Sequence, residues 1–157
     1  MEKRMKRLVL SDRHRFKHSC EEVFGLACPV REDNWIPGWR NQREIIYTES
    51  GLAELSCTFK TKSLPHHLGQ PATWVNNVYE PFRKIQYSAM NEEVVYQIQL
   101  DLTSVEGGCE VVITRTWTAL TAVAEEFLEK LQTDLARKPP DLFRLMDHYL
   151  TTGKMME

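Results

Sequence analysis

Cys109-Glu-Val-Val-Ile-Thr-Arg-Thr-Trp-Thr-Ala-Leu-Thr121 reads as one long strand that runs directly into an amphipathic helix, and the fold follows from this junction. Successive side chains of a strand point to opposite faces. Val111, Ile113, Trp117 and Ala119 therefore share a face with Arg115, while Val112, Thr114, Thr116 and Thr118 take the other. From Thr121 the period becomes helical, with Ala124, Phe127, Leu128, Leu131 and Leu135, then Leu142, Leu145, Met146, Tyr149 and Leu150. Pro139 and Pro140 each remove a backbone donor, so a kink or break is expected at Lys138 to Pro140, and Gly153 suits the helix end. A curved sheet that grips such a helix leaves a space between them. Arg115 pointing into that space marks a candidate binding cavity.

The preceding chain supplies more strands. Arg13 to Cys20 alternates and is expected as the first. Ser19 and Glu22 have capping-box spacing and open a short helix through Val23, Phe24, Leu26 and Ala27. Pro29 to Trp35 is expected as a second short helix, ended by Ile36-Pro37-Gly38-Trp39. Arg40 to Glu49 and Leu52 to Thr61 read as strands joined in a tight hairpin at Ser50-Gly51, with Ala53, Leu55, Cys57 and Phe59 on one face. Lys62 to Pro71 reads as a long loop of the kind that borders sites. Thr73 to Tyr79, Arg83 to Met90 and Val94 to Val105 are three further strands, the last turning Val94, Tyr96, Ile98, Leu100 and Leu102 inward.

A chain of 157 residues fits one domain, 1–157, with a core over about 13–152. Twenty Lys and Arg against twenty-two Asp and Glu leave a net charge of -2, so no overall field favours nucleic acid or an anionic membrane. Leu8-Val9-Leu10 is too short for a signal-peptide core, and no window approaches the ~20 apolar residues of a membrane span. A soluble, cytoplasmic protein is expected, with Cys20, Cys28, Cys57 and Cys109 as reduced, half-buried thiols; they show no CxxC spacing. A homodimer is compatible with the sequence.

The order strand, two short helices, six strands, long C-terminal helix resembles the helix-grip fold of the START-like superfamily, also called SRPBCC, over about residues 13–152. Glu21-Glu-Val-Phe24, Pro29-Val-Arg-Glu-Asp-Asn-Trp-Ile-Pro-Gly-Trp39, Tyr47-Thr-Glu-Ser-Gly51 and Thr114-Arg-Thr-Trp-Thr-Ala-Leu120 carry the resemblance. Together they are similar to an uncharacterised bacterial polyketide cyclase/dehydrase-like subgroup. The resemblance implies an α+β domain in which a seven-stranded curved antiparallel sheet wraps a long C-terminal helix and encloses a cavity; the double proline, with the kink expected there, departs from the usual uninterrupted helix. It implies no universal catalytic residue.

Arg115 on an apolar face needs a partner, because an unpaired buried charge costs several kcal/mol and Arg does not readily discharge. The partner is either the carboxylate, phosphate or carbonyl of a bound molecule, or an internal glutamate such as Glu44 or Glu54. The aromatic supply suits a flat or greasy ligand as well as an ordinary core. The expected lining is Leu55, Cys57, Phe59, Tyr96, Ile98, Leu100, Ile113, Arg115, Trp117, Phe127 and Leu131, with Trp74 and Tyr87 contributing and Trp35 and Trp39 near the mouth. Tyr96 is the polar handle beside Arg115. His14 and His18 lie ~13 Å apart on a strand at ~3.3 Å per residue, too far to share an ion. His66-His67 reads as a loop or cavity-rim pair. No metal, nucleotide or nucleophile motif is present, so no cofactor is expected.

The expected function is to hold a small hydrophobic or amphipathic molecule. A cyclase or dehydratase using Arg115 and Tyr96 is the enzymatic alternative, and a protein-interaction module with a filled core is the non-enzymatic one.

Overall fold

The computed structural model describes residues 2–66, 70–137 and 142–157. In chain order they form β1 (Arg7–Phe16), α1 (Cys20–Leu26), 3-10 turns at Arg31–Asn34 and Trp39–Asn41, β2 (Arg43–Tyr47), β3 (Thr58–Thr61), β4 (Ala72–Glu80), β5 (Lys84–Met90), β6 (Val94–Val105), β7 (Gly108–Ala119), α2 (Ala122–Arg137) and α3 (Leu142–Thr152). The strands make one curved antiparallel sheet in the order β1-β7-β6-β5-β4-β3-β2. This is the seven-stranded architecture expected from the sequence. The kink expected at Lys138 to Pro140 lies outside the described residues.

β7 is the spine. It pairs with β1 from Arg7↔Thr118 to Phe16↔Cys109 and with β6 from Val94↔Ala119 to Val105↔Gly108, without a register shift. Its burial alternates along the whole strand, with Val111, Ile113, Arg115, Trp117 and Ala119 inward. Gly108 is required where β7 starts: a Cβ there would collide with the carbonyl oxygen of Phe16.

β1 begins earlier than expected, at Arg7 rather than Arg13. Leu8 and Leu10 provide the inward positions that pair with the last turn of the β7 ladder, and Leu8 and Phe16 are buried. The basic face of this strand is not idle, because Arg13 and Arg15 both reach Glu110 on β7, at 3.6 Å and 3.1 Å. The capping box forms as expected: Ser19 Oγ accepts from the backbone N–H of Glu22 at 3.1 Å and opens α1.

The expected Ser50-Gly51 hairpin is replaced by a ten-residue connection, 48–57, between shorter strands. Glu54 explains this. Its carboxylate accepts from Thr48 Oγ1 at 2.8 Å and from Ser50 N at 2.6 Å, folding 48–54 on itself instead of extending it. These hydrogen bonds from Ser50 and Thr48 hold the Glu54 carboxyl down at about 2. Ser56 then takes a positive φ, and Cys57 rejoins the sheet edge through Asn76 N donating to Cys57 O at 2.9 Å. The alternation Ala53, Leu55, Cys57 is broken, and Leu55 lies 59% exposed.

Cys20 and Cys109 are joined in a disulfide, Cα–Cα 5.0 Å, linking the start of α1 to β7. This corrects the expectation of four thiols; the two lie in different elements but the β1–β7 register brings them together. Cys28 and Cys57 are free and buried. α2 packs over β7 and β1, and α3 packs against α1. α3 is also tied to β1, where His14 Nε2 meets Asp147 Oδ2 at 2.6 Å and the His14 ring stacks on Phe143 at 5.1 Å.

Two measurements check this architecture. Gly108→Ala is expected to lower stability by on the order of 2–3 kcal/mol in urea unfolding, the scale of a substitution that forces backbone to move. Alkylation of denatured, unreduced protein is expected to modify two of the four cysteines, Cys28 and Cys57, and all four after reduction.

Candidate functional site

Between the concave sheet and α3 lies a cavity of about 440 Å³, within the range of ~300–1,000 Å³ that accommodates small molecules. The sheet contributes Phe59, Trp74, Tyr87, Tyr96, Ile98, Leu100 and Arg115. The segment after α1 contributes Ala27, Glu32, Trp35, Ile36 and Trp39; Pro65 comes from the β3–β4 loop and Leu142, Leu145 and Met146 from α3.

The structure brings together nine of the fifteen side chains singled out in the sequence: Trp35, Trp39, Phe59, Trp74, Tyr87, Tyr96, Ile98, Leu100 and Arg115. The other six lie elsewhere. Leu55 is turned out by the Glu54-centred loop, and Cys57 is buried beside Cys28 rather than at the cavity. Ile113 and Trp117 flank Arg115 on the same face of β7 but are packed solid, Trp117 against the ring of Tyr96 at 5.1 Å. Phe127 and Leu131 belong to the core beneath α2. The gap is therefore closed by α3, not by α2. Periodicity gives both helices the same apolar stripe and does not say which of them sits over the space.

Most polar ends on the aromatic wall are already committed to the protein. Trp35 Nε1 donates to Leu26 O at 3.1 Å, Trp39 Nε1 to Pro29 O at 2.8 Å, and Trp74 Nε1 to Thr61 Oγ1 at 2.9 Å. Tyr87 donates its hydroxyl to Ala27 O at 2.7 Å. Burial pushes the Tyr87 hydroxyl well above its ordinary range, so it stays a donor. Ring packing fixes the wall further: Phe59 stacks on Trp74 at 5.4 Å, and Trp74 meets Tyr96 edge-on at 5.5 Å. These groups present apolar faces and nothing else.

Among the described residues of the lining three polar groups remain. Arg115 is 7% exposed, stands in register between Leu10 of β1 and Ile98 of β6, and its buried Nε has no hydrogen-bond partner. No ion pair joins it to Glu44, Glu54 or any other carboxylate among the described residues. Tyr96 lies buried nearby. Burial lifts its hydroxyl to about 12, against the opposing pull of Arg115, and its hydroxyl makes no hydrogen bond among the described residues. The third group is Glu32, whose carboxyl is raised to about 8 by burial first and by the charge of Asp33 second.

The separation of Glu32 from Asp33 is the local device that creates this acid. Asp33 points away and holds Arg43 in a two-pronged ion pair, with Arg43 Nε at 3.1 Å from Oδ1. Glu32 is left to the cavity with no ion pair to a cation among the described residues. Glu32 was not among the expected lining, its segment being read only as a second short helix. The available signal was its spacing: Trp35 and Ile36 lie three and four residues on, and Ile36 N donates back to Glu32 O at 2.9 Å. All three side chains consequently share the cavity face.

Among the described residues no cluster of His, Cys, Asp and Glu is arranged to hold a metal ion. His14 faces Asp147, and His18 pairs with Glu22 at 3.4 Å. His66 lies 6.3 Å from the Trp117 ring; His67 lies outside the described residues.

Comparison with solved structures decides the fold. Norcoclaurine synthase from Thalictrum flavum, in complex with dopamine and hydroxybenzaldehyde, superposes with a TM-score of 0.65 at 12% identity, over 96% of this chain and 90% of that one. This chain has the helix-grip α+β fold. Ara h 8.0201 matches it with a TM-score of 0.64 at 11% identity, over 94% and 99% of the two chains. A protein of Mesorhizobium loti, MLL2253, gives 0.64 at 10% identity over 92% and 97%. In sequence the chain matches no family model and no curated protein.

Glu32 gives the site a pH signature. The unfolded carboxyl loses its proton near 4.5 and the folded one near 8, so in between the folded state binds more protons and stability falls as pH rises. The decline from pH 5 to 8.5 is expected to be at least ~1.4 kcal/mol, the equivalent of one pKa unit. Urea midpoints at those two pH values, measured for wild type and Glu32→Gln, check it: the variant is expected to lose this component of the slope.

Proposed function

We propose that residues 1–157 act as one domain that holds a small hydrophobic or amphipathic molecule between the sheet and α3. The observation that carries this reading is an interior left open and lined by aromatic faces whose polar atoms, Tyr96 apart, are satisfied by backbone carbonyls or, for Trp74, by Thr61 Oγ1, with Arg115, Tyr96 and Glu32 left uncommitted among the described residues. Rigid rings supply shape and the three polar groups supply orientation. A complex of the same fold with two small aromatic molecules, in norcoclaurine synthase, supports the reading by analogy of architecture.

A second reading, a cyclase or dehydratase, is favoured by one observation: a carboxyl able to exchange a proton near neutral pH shares the cavity with a hydroxyl and a guanidinium that can polarise a carbonyl. Binding comes first in either case. The interaction-module alternative needs a filled core, and the open interior counts against it. No helix among the described residues is long and apolar enough to cross a membrane. Cytoplasmic action, the expectation of the sequence, holds in this proposal only with the Cys20–Cys109 pair reduced, because disulfides persist in oxidising compartments.

Calorimetric titration with 2-naphthol, a neutral flat probe, tests the proposal. Wild type is expected to bind one equivalent. Ile98→Trp, which fills the cavity from the middle of β6, is expected to lose binding at least roughly tenfold while keeping its cooperative melt. Absence of binding by wild type at millimolar probe would overturn the reading.

A further inference from the structure

The uncommitted groups differ in charge, and that difference points to the kind of molecule the cavity takes. Among the described residues that line the cavity, Arg115 is the only cationic side chain. Its Nε is buried without a partner, and its strand neighbours, Leu10 and Ile98, are apolar. Burial of a guanidinium in this way is stabilised when an anion arrives, and the planar fork of Arg matches a carboxylate by two parallel hydrogen bonds. Tyr96, close enough to Arg115 for the two to interact electrostatically, adds a hydroxyl donor on the same side.

Resting on the cavity reading above, we infer that the ligand is a monoanionic amphipath, an aromatic or alicyclic carboxylic acid, whose carboxylate is received by Arg115 and Tyr96 and whose uncharged body lies against Phe59, Trp74 and Trp35. A single negative charge is set by a single guanidinium. A phosphate dianion would bring a second charge into a lining whose described residues offer no second cation. Cationic ligands are disfavoured by the same guanidinium.

Glu32 completes the selection. Among the described residues no ion pair joins it to Arg115, so the two groups stand apart in one cavity. Among the described residues the groups that face it are Asp33 on its own turn, Tyr87 from β5 and Tyr96 from β6; the lining residues of α3, Leu142, Leu145 and Met146, carry no charge. None of these groups stabilises its anion. At neutral pH the Glu32 carboxyl is largely protonated, and the cavity carries the charge of Arg115 alone. In that state it accepts an acid. Above about pH 8 the ionised Glu32 cancels that charge and repels the ligand carboxylate.

Three probes of one shape separate the alternatives: 2-naphthylacetate, 2-naphthylacetamide and 2-(2-naphthyl)ethylammonium, titrated calorimetrically at pH 6.5. The acetate is expected to bind about tenfold or more tightly than the amide, equivalent to ~1.4 kcal/mol, with the ammonium weakest. Arg115→Gln is expected to bring acetate down to the amide's affinity. Raising pH from 7 to 9.5 is expected to weaken acetate severalfold in wild type, leave the amide unchanged, and have no such effect in Glu32→Gln. The wild-type probe series stands without the Arg115 variant should that variant fold poorly. Equal or tighter binding of the amide or ammonium, or an acetate preference that survives Arg115→Gln, would overturn the inference and leave the cavity proposal standing. No binding of any probe would remove both.

Discussion

The unbroken ladder of β7 with β1 on one side and β6 on the other is the constraint on which the rest of the molecule depends. Twelve consecutive residues, Gly108–Ala119, alternate without a bulge, so the facing of every side chain along them is determined once one is set. A one-residue slip would send Trp117, Ile113 and Val111 to solvent and bring three threonines inside. The same register places Gly108 under the Phe16 carbonyl, sets Cys109 against the start of α1, and turns Arg115 toward the cavity. Arg115 is thus held inward by the apolar residues two positions away on each side, which are far more costly to expose.

Around that spine the molecule separates two tasks. The region under α2 is packed solid, with Leu128, Trp117 and Ala124 fully buried, and this supplies stability. The region under α3 is left open. There Trp35, Trp39 and Tyr87 bind their polar ends to backbone carbonyls and Trp74 binds Thr61 Oγ1, which both satisfies them and holds the rings at the wall of the space. The contact of α3 with β1 through His14 and Asp147 closes the open side from the edge of the sheet rather than from its centre. An acid and a base are kept apart inside, Glu32 because Asp33 takes Arg43, and Arg115 because its strand neighbours are aliphatic.

Where the sequence was legible, a regular period was present. β6 and β7 alternate cleanly and were readable almost to the residue; the capping box of Ser19 and Glu22 announced α1. Legibility failed where a side chain overrode the backbone pattern. Glu54 gathers Thr48 and Ser50 and dissolves an apparent hairpin, so Leu55 moves from a supposed lining to the surface. Glu32 shows the same failure in the other direction, a charge within a charge cluster that faces inward because the 3-10 turn places it beside Trp35 and Ile36.

By itself the sequence determined the sheet, its inward residues on the two longest strands, and the presence of one guanidinium among them, because these depend on periodicity, and periodicity is local. Only the tertiary structure decided which helix covers the cavity, which cysteines meet, and which of two adjacent carboxylates is left without a cation. Those outcomes depend on distances between elements far apart in the chain, and a linear pattern carries no record of such distances.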